Sequence, residues 1–155
     1  MPSSVRELFS RLVMAMNSGD LDVLSEIVAP DFEGYFPQSG ERFRGVEAFR
    51  AQIERYPGGL QPASSDPQAA FVVGDDERWV ITPGYTVLPL AGPERYTTVV
   101  KTTYPDGSIW HVVSIVQIRD GRVAAAETYF APAFEPPEWR SDIVEVVPKG
   151  ERSKP

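Results

Sequence analysis

The sequence predicts an α+β fold in which three N-terminal helices pack on a curved, mostly antiparallel sheet of six strands. Two observations lead to this fold class. Apolar residues recur at helical spacing in the first third of the chain, and from about residue 69 onward β-rich runs alternate with turn residues. Helices followed by a run of strands is the order typical of α+β domains.

The first helix is predicted to begin after Ser3 or Ser4. Its apolar stripe extends to Met16, and Glu7 stands three residues after Ser4, as in a capping box. Gly19 suits the left-handed conformation that follows a helix end. A second, short helix capped by Asp20 is expected over residues 21–28.

The third helix is predicted over residues 46–56, and a short strand over residues 32–36 precedes it. Turn residues separate the other predicted strands, and the Asp120-Gly121 pair is a strong signal for a two-residue hairpin loop. These strands span residues 69–74, 77–90, 97–104, 109–119 and 122–131. We therefore expect one domain over residues 1–135 and a C-terminal tail over residues 136–155.

Composition argues against several functions. The net charge of −7 and the scattered Lys and Arg residues predict no nucleic-acid partner. The absence of cysteine, the single histidine and the lack of a glycine-rich phosphate loop predict neither a metal site nor a cofactor. The N-terminus lacks an apolar core of signal-peptide length and no run is long enough to cross a bilayer, so we expect a cytoplasmic protein without a membrane partner.

Three stretches together resemble the nuclear transport factor 2-like superfamily, in its SnoaL-like and ketosteroid isomerase-like branch. They are residues 14–22, which read as a helix end and turn; residues 45–49, which resemble the start of the third helix; and residues 118–123 with Tyr129-Phe130, which resemble the closing hairpin. The resemblance implies a cone-shaped, cystatin-like fold with a cavity for a small apolar molecule.

The catalytic residues of the enzymes in this superfamily are not found at the corresponding positions of this sequence. The position of the oxyanion-binding tyrosine of ketosteroid isomerases holds Leu12, and the position of their general-base aspartate holds Phe36. The water-activating aspartate of limonene epoxide hydrolases corresponds to Thr128. Neither Leu12 nor Phe36 can donate a hydrogen bond or accept a proton, so the ketosteroid isomerase mechanism is not expected.

The hairpin predicts which side chains of the last two strands share a face, and the resemblance implies that the face with Thr128 and Phe130 lines the cavity. A two-residue loop pairs His111 with Phe130, Val113 with Thr128, and Ile115 with Ala126. These side chains share one face, and Ser114 is expected on the other. His111 would then act as a general base or a polar anchor in the cavity. Alternatively, it is a structural histidine that forms a hydrogen bond with a neighbouring hydroxyl group.

The predicted ligand-binding residues combine this face with apolar positions elsewhere, namely Leu12, Met16, Phe36, Phe49, Tyr104, Val113, Ile115, Thr128 and Phe130. The opposite face of the sheet is also apolar, which predicts a homodimer. The expected function is binding of a small apolar molecule. The alternative is an isomerase, lyase or hydrolase that acts on a polyketide-, steroid- or terpene-like metabolite, with His111 as general acid or base.

Overall fold

The first helix of the computed structural model, α1 (Val5–Ser18), has the predicted ends. The model describes residues 4–59, 79–82, 84–90 and 93–148. The hydroxyl oxygen of Ser4 accepts a hydrogen bond from the backbone N–H of Glu7 at 3.3 Å. Gly19 has a φ of 75°, and its N–H donates to the carbonyl of Ala15. These hydrogen bonds cap both ends of the helix. Its apolar face packs against the sheet.

The second helix is shorter than predicted at both ends. Asp20 is not its cap, since the N-cap is Val23, and its last predicted residue belongs to a strand. Helix α2 covers only Leu24–Ile27, and strand β1 (Val28–Phe36) follows at once. Val28 pairs with Val123 on a neighbouring strand and is fully buried. Helix α3 (Val46–Glu54) starts where predicted and ends two residues early.

Seven strands form one sheet in the described part of the chain, where the sequence predicted six. The strands after β1 are β2 (Glu41–Arg44), β3 (Trp79–Thr82), β4 (Tyr85–Pro89), β5 (Arg95–Thr103), β6 (Ile109–Arg119) and β7 (Arg122–Pro132). Their order across the sheet is β2-β1-β7-β6-β5-β4-β3, and only the β1–β7 pair is parallel. The predicted strand at 69–74 lies outside the described residues.

The fold class is confirmed: three helices pack on a mostly antiparallel sheet. One apolar cluster joins the helices to the inner face of the sheet, and its largest fully buried side chains include Phe9, Leu24, Phe32, Val87 and Ile118. In the described ranges, no helix has the length and apolar character needed to cross a membrane. After β7 the chain forms a 3-10 turn at Glu138–Arg140.

The β6–β7 hairpin begins as predicted and then slips by one residue. Asp120 and Gly121 both have positive φ, and the pairing starts with Arg119 opposite Arg122. A bulge follows: Val123 pairs with Ile118, but Gln117 pairs with Ala125, so Ala124 is the additional residue. Beyond the bulge every pair on β6 is displaced by one position from the predicted register. Since side chains alternate between faces, the two faces of β6 are exchanged relative to the prediction.

Candidate functional site

A cavity of about 360 Å³ lies between the helices and the inner face of the sheet. Helix α1 contributes Leu12, Val13 and Met16 to its lining, and α3 contributes Phe49 and Ile53. The sheet contributes an aliphatic floor from β5, β6 and β7, formed by Val100, Val112, Val116, Val123 and Ala126. The lining is therefore largely apolar.

Five phenylalanine rings close one end of the cavity. The ring of Phe32 contacts Phe43 and Phe49, with centroids 5.7 and 5.4 Å apart. Phe36 contacts Phe43 at 5.4 Å and Phe130 at 5.1 Å. The tilted and edge-on arrangements are those that aromatic pairs prefer. All five rings belong to the cavity lining.

Two pairs of hydroxyl groups supply polarity on the sheet side. The hydroxyl oxygens of Ser114 on β6 and Thr128 on β7 are 2.8 Å apart. Tyr85 on β4 forms a hydrogen bond with the side chain of Thr98 on β5. Burial raises the pKa of Tyr85 well above its usual value, and the bond with Thr98 offsets a part of that effect. All four side chains line the cavity and are uncharged at neutral pH.

Two stacked tyrosines contribute further hydroxyl groups to the lining. The rings of Tyr56, just after α3, and Tyr104, just after β5, lie 5.5 Å apart and nearly parallel. Burial, and then the neighbouring Tyr56, raise the pKa of Tyr104 to about 12. Trp110 packs edge-on against Tyr104 at 5.6 Å. The side chains of Asn17 and Gln52 complete the polar lining.

The lining formed by residues 4–59, 79–82, 84–90 and 93–148 contains no Asp, Glu, His, Lys or Arg. The nearby acids point outward instead. Glu33 pairs with Arg42 at 3.3 Å and with Arg44 at 3.2 Å on the opposite face of the sheet. Glu127 accepts a hydrogen bond from the hydroxyl of Tyr129. In the same described ranges, no three acidic or histidine side chains group together as metal ligands would.

The predicted cavity positions on β6 are wrong. His111 pairs with Ala131 on β7, and Val113 and Ile115 alternate with it along the face that points away from the cavity. The bulge at Ala124 is the physical reason, because it shifts the pairing by one residue. The predicted contact of His111 with a cavity ligand therefore has no basis in the fold.

The other predicted positions lie in the lining: Leu12, Met16, Phe36, Phe49, Tyr104, Thr128 and Phe130. Their contact with a ligand stays a prediction. Sequence reasoning missed Phe43, because β2 was not predicted, and Ser114, because it was placed on the outer face. The Pro-Gln-Ser-Gly turn at residues 37–40 is the signal that could have predicted the β1–β2 hairpin and with it Phe43.

A family model described as the SnoaL-like domain matches residues 9–126. The chain belongs to the SnoaL-like family. The match includes the three helices and most of the cavity-lining strands, so the cavity described above is that of a SnoaL-like domain. Among curated proteins, none matches this SnoaL-like chain.

Solved structures share the fold of this SnoaL-like chain over most of its length. A nuclear transport factor 2-like protein of unknown function from Burkholderia xenovorans LB400 has 26% sequence identity and a TM-score of 0.65, with 93% of this chain and 95% of the other covered. A candidate ketosteroid isomerase from Kribbella flavida DSM 17836 has 23% identity and a TM-score of 0.65, with 95% and 93% covered. A candidate polyketide cyclase from Xanthomonas campestris pv. campestris has 19% identity and a TM-score of 0.54, with 79% and 87% covered.

Proposed function

We propose that this SnoaL-like protein binds a small, neutral and largely apolar molecule in its cavity. The observation that carries the proposal is the lining: aromatic and aliphatic side chains with a few hydroxyl and amide groups, and no charged residue in the described ranges. Ligand sites in proteins are mostly apolar walls with a small number of placed polar groups. The volume of about 360 Å³ is within the range of such sites.

The ligand is proposed to be neutral because of the cost of burying a charge. An ionised group taken out of water without a partner is strongly destabilised. The lining offers hydroxyl and amide groups but no ion of opposite sign in the described ranges. A ligand carboxylate would therefore bind much more weakly than the same skeleton without it.

The proposed contacts are the seven predicted positions in the lining: Leu12, Met16, Phe36, Phe49, Tyr104, Thr128 and Phe130. Phe36 and Phe130 would stack on the ligand at the phenylalanine end. Tyr104 and Thr128 would offer hydroxyl groups farther along the floor. This arrangement suits a compact ring system better than an extended chain.

Binding is favoured over the alternative of an isomerase, lyase or hydrolase. That alternative depended on His111 as the acid or base, and His111 lies on the outer face of the sheet. General acid–base catalysis near neutral pH needs a group whose pKa is close to that pH. Tyr85 and Tyr104 do not meet that need, since burial raises the pKa of both side chains, that of Tyr104 to about 12.

Direct binding of tetralin, a neutral bicyclic hydrocarbon, tests the proposal. We expect tetralin to shift backbone NMR signals of cavity residues in the ¹⁵N-labelled protein, and 5,6,7,8-tetrahydro-2-naphthoate to bind at least tenfold more weakly. The variant Ala126→Phe, which fills the cavity floor, should abolish binding. The matched control Ala131→Phe, on the exposed outer face at the end of β7, should retain it. Equal binding by Ala126→Phe and the native protein would contradict the proposed site.

We further propose that the outer face of the sheet forms a homodimer interface, in a cytoplasmic protein. The helices cover only the inner face, and on the outer face Leu88, Ile115 and Tyr129 are 36%, 41% and 37% exposed. Their side chains adjoin the half-buried Val99 and Val113 on neighbouring strands. Apolar side chains exposed together on one face of a sheet are typical of an association site, and a second copy would cover them by two-fold symmetry.

A further inference from the structure

Four hydroxyl side chains form a row across the floor of the cavity, on four adjacent strands. Thr128 on β7 is the direct partner of Ser114 on β6, and Ser114 is the direct partner of Thr98 on β5. Tyr85 on β4 then reaches Thr98 through a hydrogen bond. We call Thr128, Ser114, Thr98 and Tyr85 the hydroxyl row. Its direction is perpendicular to the strands, and apolar side chains flank it on the same floor.

Each pair in the hydroxyl row has hydrogen-bonding capacity beyond its internal bond. A hydroxyl group carries one hydrogen and accepts twice. In the pair Ser114–Thr128, whose oxygens are 2.8 Å apart, one hydrogen lies between the two oxygens and the other does not. The same accounting holds for Tyr85 and Thr98. Each pair therefore offers one further O–H donor.

The residues around the two hydroxyl pairs determine whether these O–H donors have an acceptor. Ser114 and Thr128 are partly buried and both line the cavity, while Thr98 is almost fully buried beside them. The neighbouring floor positions are Val100, Val112 and Ala126, which carry no acceptor in their side chains. A donor left without an acceptor in such a place costs free energy, and an unsatisfied donor is rarer in proteins than an incompletely satisfied acceptor.

We propose that the hydroxyl row selects ligands that carry one neutral oxygen acceptor, such as a ketone or lactone carbonyl, on an apolar ring skeleton. This inference rests on the proposed function, because it assigns the polar end of the ligand bound in the same cavity. The carbonyl oxygen accepts the further hydrogen of the Ser114–Thr128 pair. The ring skeleton then lies toward the phenylalanine rings of Phe36 and Phe130.

Two probes with the same ring skeleton test cavity binding and carbonyl selection separately. Tetralin is the hydrocarbon, and 1-tetralone adds one carbonyl oxygen to it. NMR titration of the full-length protein gives both dissociation constants. We expect 1-tetralone to bind about three- to tenfold more tightly than tetralin, the effect of one net hydrogen bond.

The variant Ser114→Ala/Thr128→Val removes the hydroxyl pair and keeps its shape. We expect the preference to disappear: whatever its dissociation constant for tetralin, the variant should bind 1-tetralone no more tightly than tetralin. The matched control Thr103→Val removes a hydroxyl from the exposed end of β5 and should keep the preference. A thermal unfolding curve like that of the native protein shows that each variant is folded.

The possible results are distinct. A preference for 1-tetralone that disappears in Ser114→Ala/Thr128→Val supports the hydroxyl row. Equal binding of the two probes by the native protein would contradict the proposed role of the hydroxyl row, and so would a preference that survives in the variant. Neither result would contradict the proposed function. Failure of both probes to bind overturns the proposed function and the inference that depends on it.

Discussion

Gly34 on β1 lies directly beneath the ring of Phe43 on β2. A Cβ atom built on Gly34 would be 2.2 Å from Cζ of Phe43, far inside van der Waals contact. The ring also packs against Phe32 and Phe36, with centroids 5.7 and 5.4 Å away, so its freedom to move aside is small. The missing side chain at position 34 therefore determines how Phe43 lies in the wall of the cavity.

We expect Gly34→Ala to destabilise the protein by about 1–3 kcal/mol, the usual cost of overpacking a filled site. The displaced ring of Phe43 should also narrow the cavity and weaken tetralin binding. Urea denaturation measures the first effect and NMR titration the second. In the background Phe43→Ala, the same substitution should cost much less. An equal cost in both backgrounds would show that the contact with Phe43 is not the cause.

His111→Ala should leave ligand binding unchanged within about twofold, because His111 lies opposite Ala131 and Lys101 on the outer face. The measurement is the dissociation constant of tetralin for the variant and the native protein. Val112→Ala is the matched comparison, since Val112 is the next residue along β6 and lines the cavity. A large loss of binding in His111→Ala alone would contradict the bulged register.

Stability should fall steeply at alkaline pH. Tyr104 has its pKa raised from 10.0 to about 12, and burial raises that of Tyr85 further. The unfolded chain therefore loses these protons first, so the contribution is fully present below pH 10 and is lost as the pH rises through 12. Urea denaturation at pH 8, 10 and 11 checks the trend. Tyr104→Phe should reduce the loss, and an unchanged slope in that variant would argue against Tyr104 as a source.

Ile115→Lys should shift the protein from dimer to monomer without unfolding it. Ile115 is 41% exposed in the single chain, so a lysine there meets solvent in the monomer and an apolar partner surface in the dimer. Light scattering after gel filtration gives the mass. Met14→Lys is the matched control, because Met14 is 49% exposed on helix α1. A native protein that is monomeric at high concentration would remove the proposed interface.

The ends of α1 could be predicted because their signals are local. Ser4 accepts the hydrogen bond from the N–H of Glu7, and Gly19 takes the positive φ, as expected. Strand β2 was missed for the opposite reason. Among residues 41–44 only Phe43 is apolar, so no alternation of apolar and polar residues identifies a strand. The extended conformation of this segment is stabilised by its pairing with β1.

The cavity could be predicted on one strand of the hairpin and not on its partner. Thr128 and Phe130 on β7 were assigned to the correct face, but His111 and its neighbours on β6 were not. Residues 123–126 read Val-Ala-Ala-Ala, and these small side chains fit either face of a sheet. Nothing in that run distinguishes a regular strand from one that carries an additional residue.

The bulge at Ala124 determines what the loss of one residue from the β6–β7 hairpin would do to the cavity during evolution. Deletion of Ala124 would leave Val123 opposite Ile118 and Ala125 opposite Gln117, so the pairing beyond the bulge would stay as it is. Ser114 would keep its place in the cavity floor, and His111 its place on the outer face. The loss of one codon at this position would thus leave the chemistry of the floor intact, while an ungapped comparison of residues would misalign all the later positions of β7.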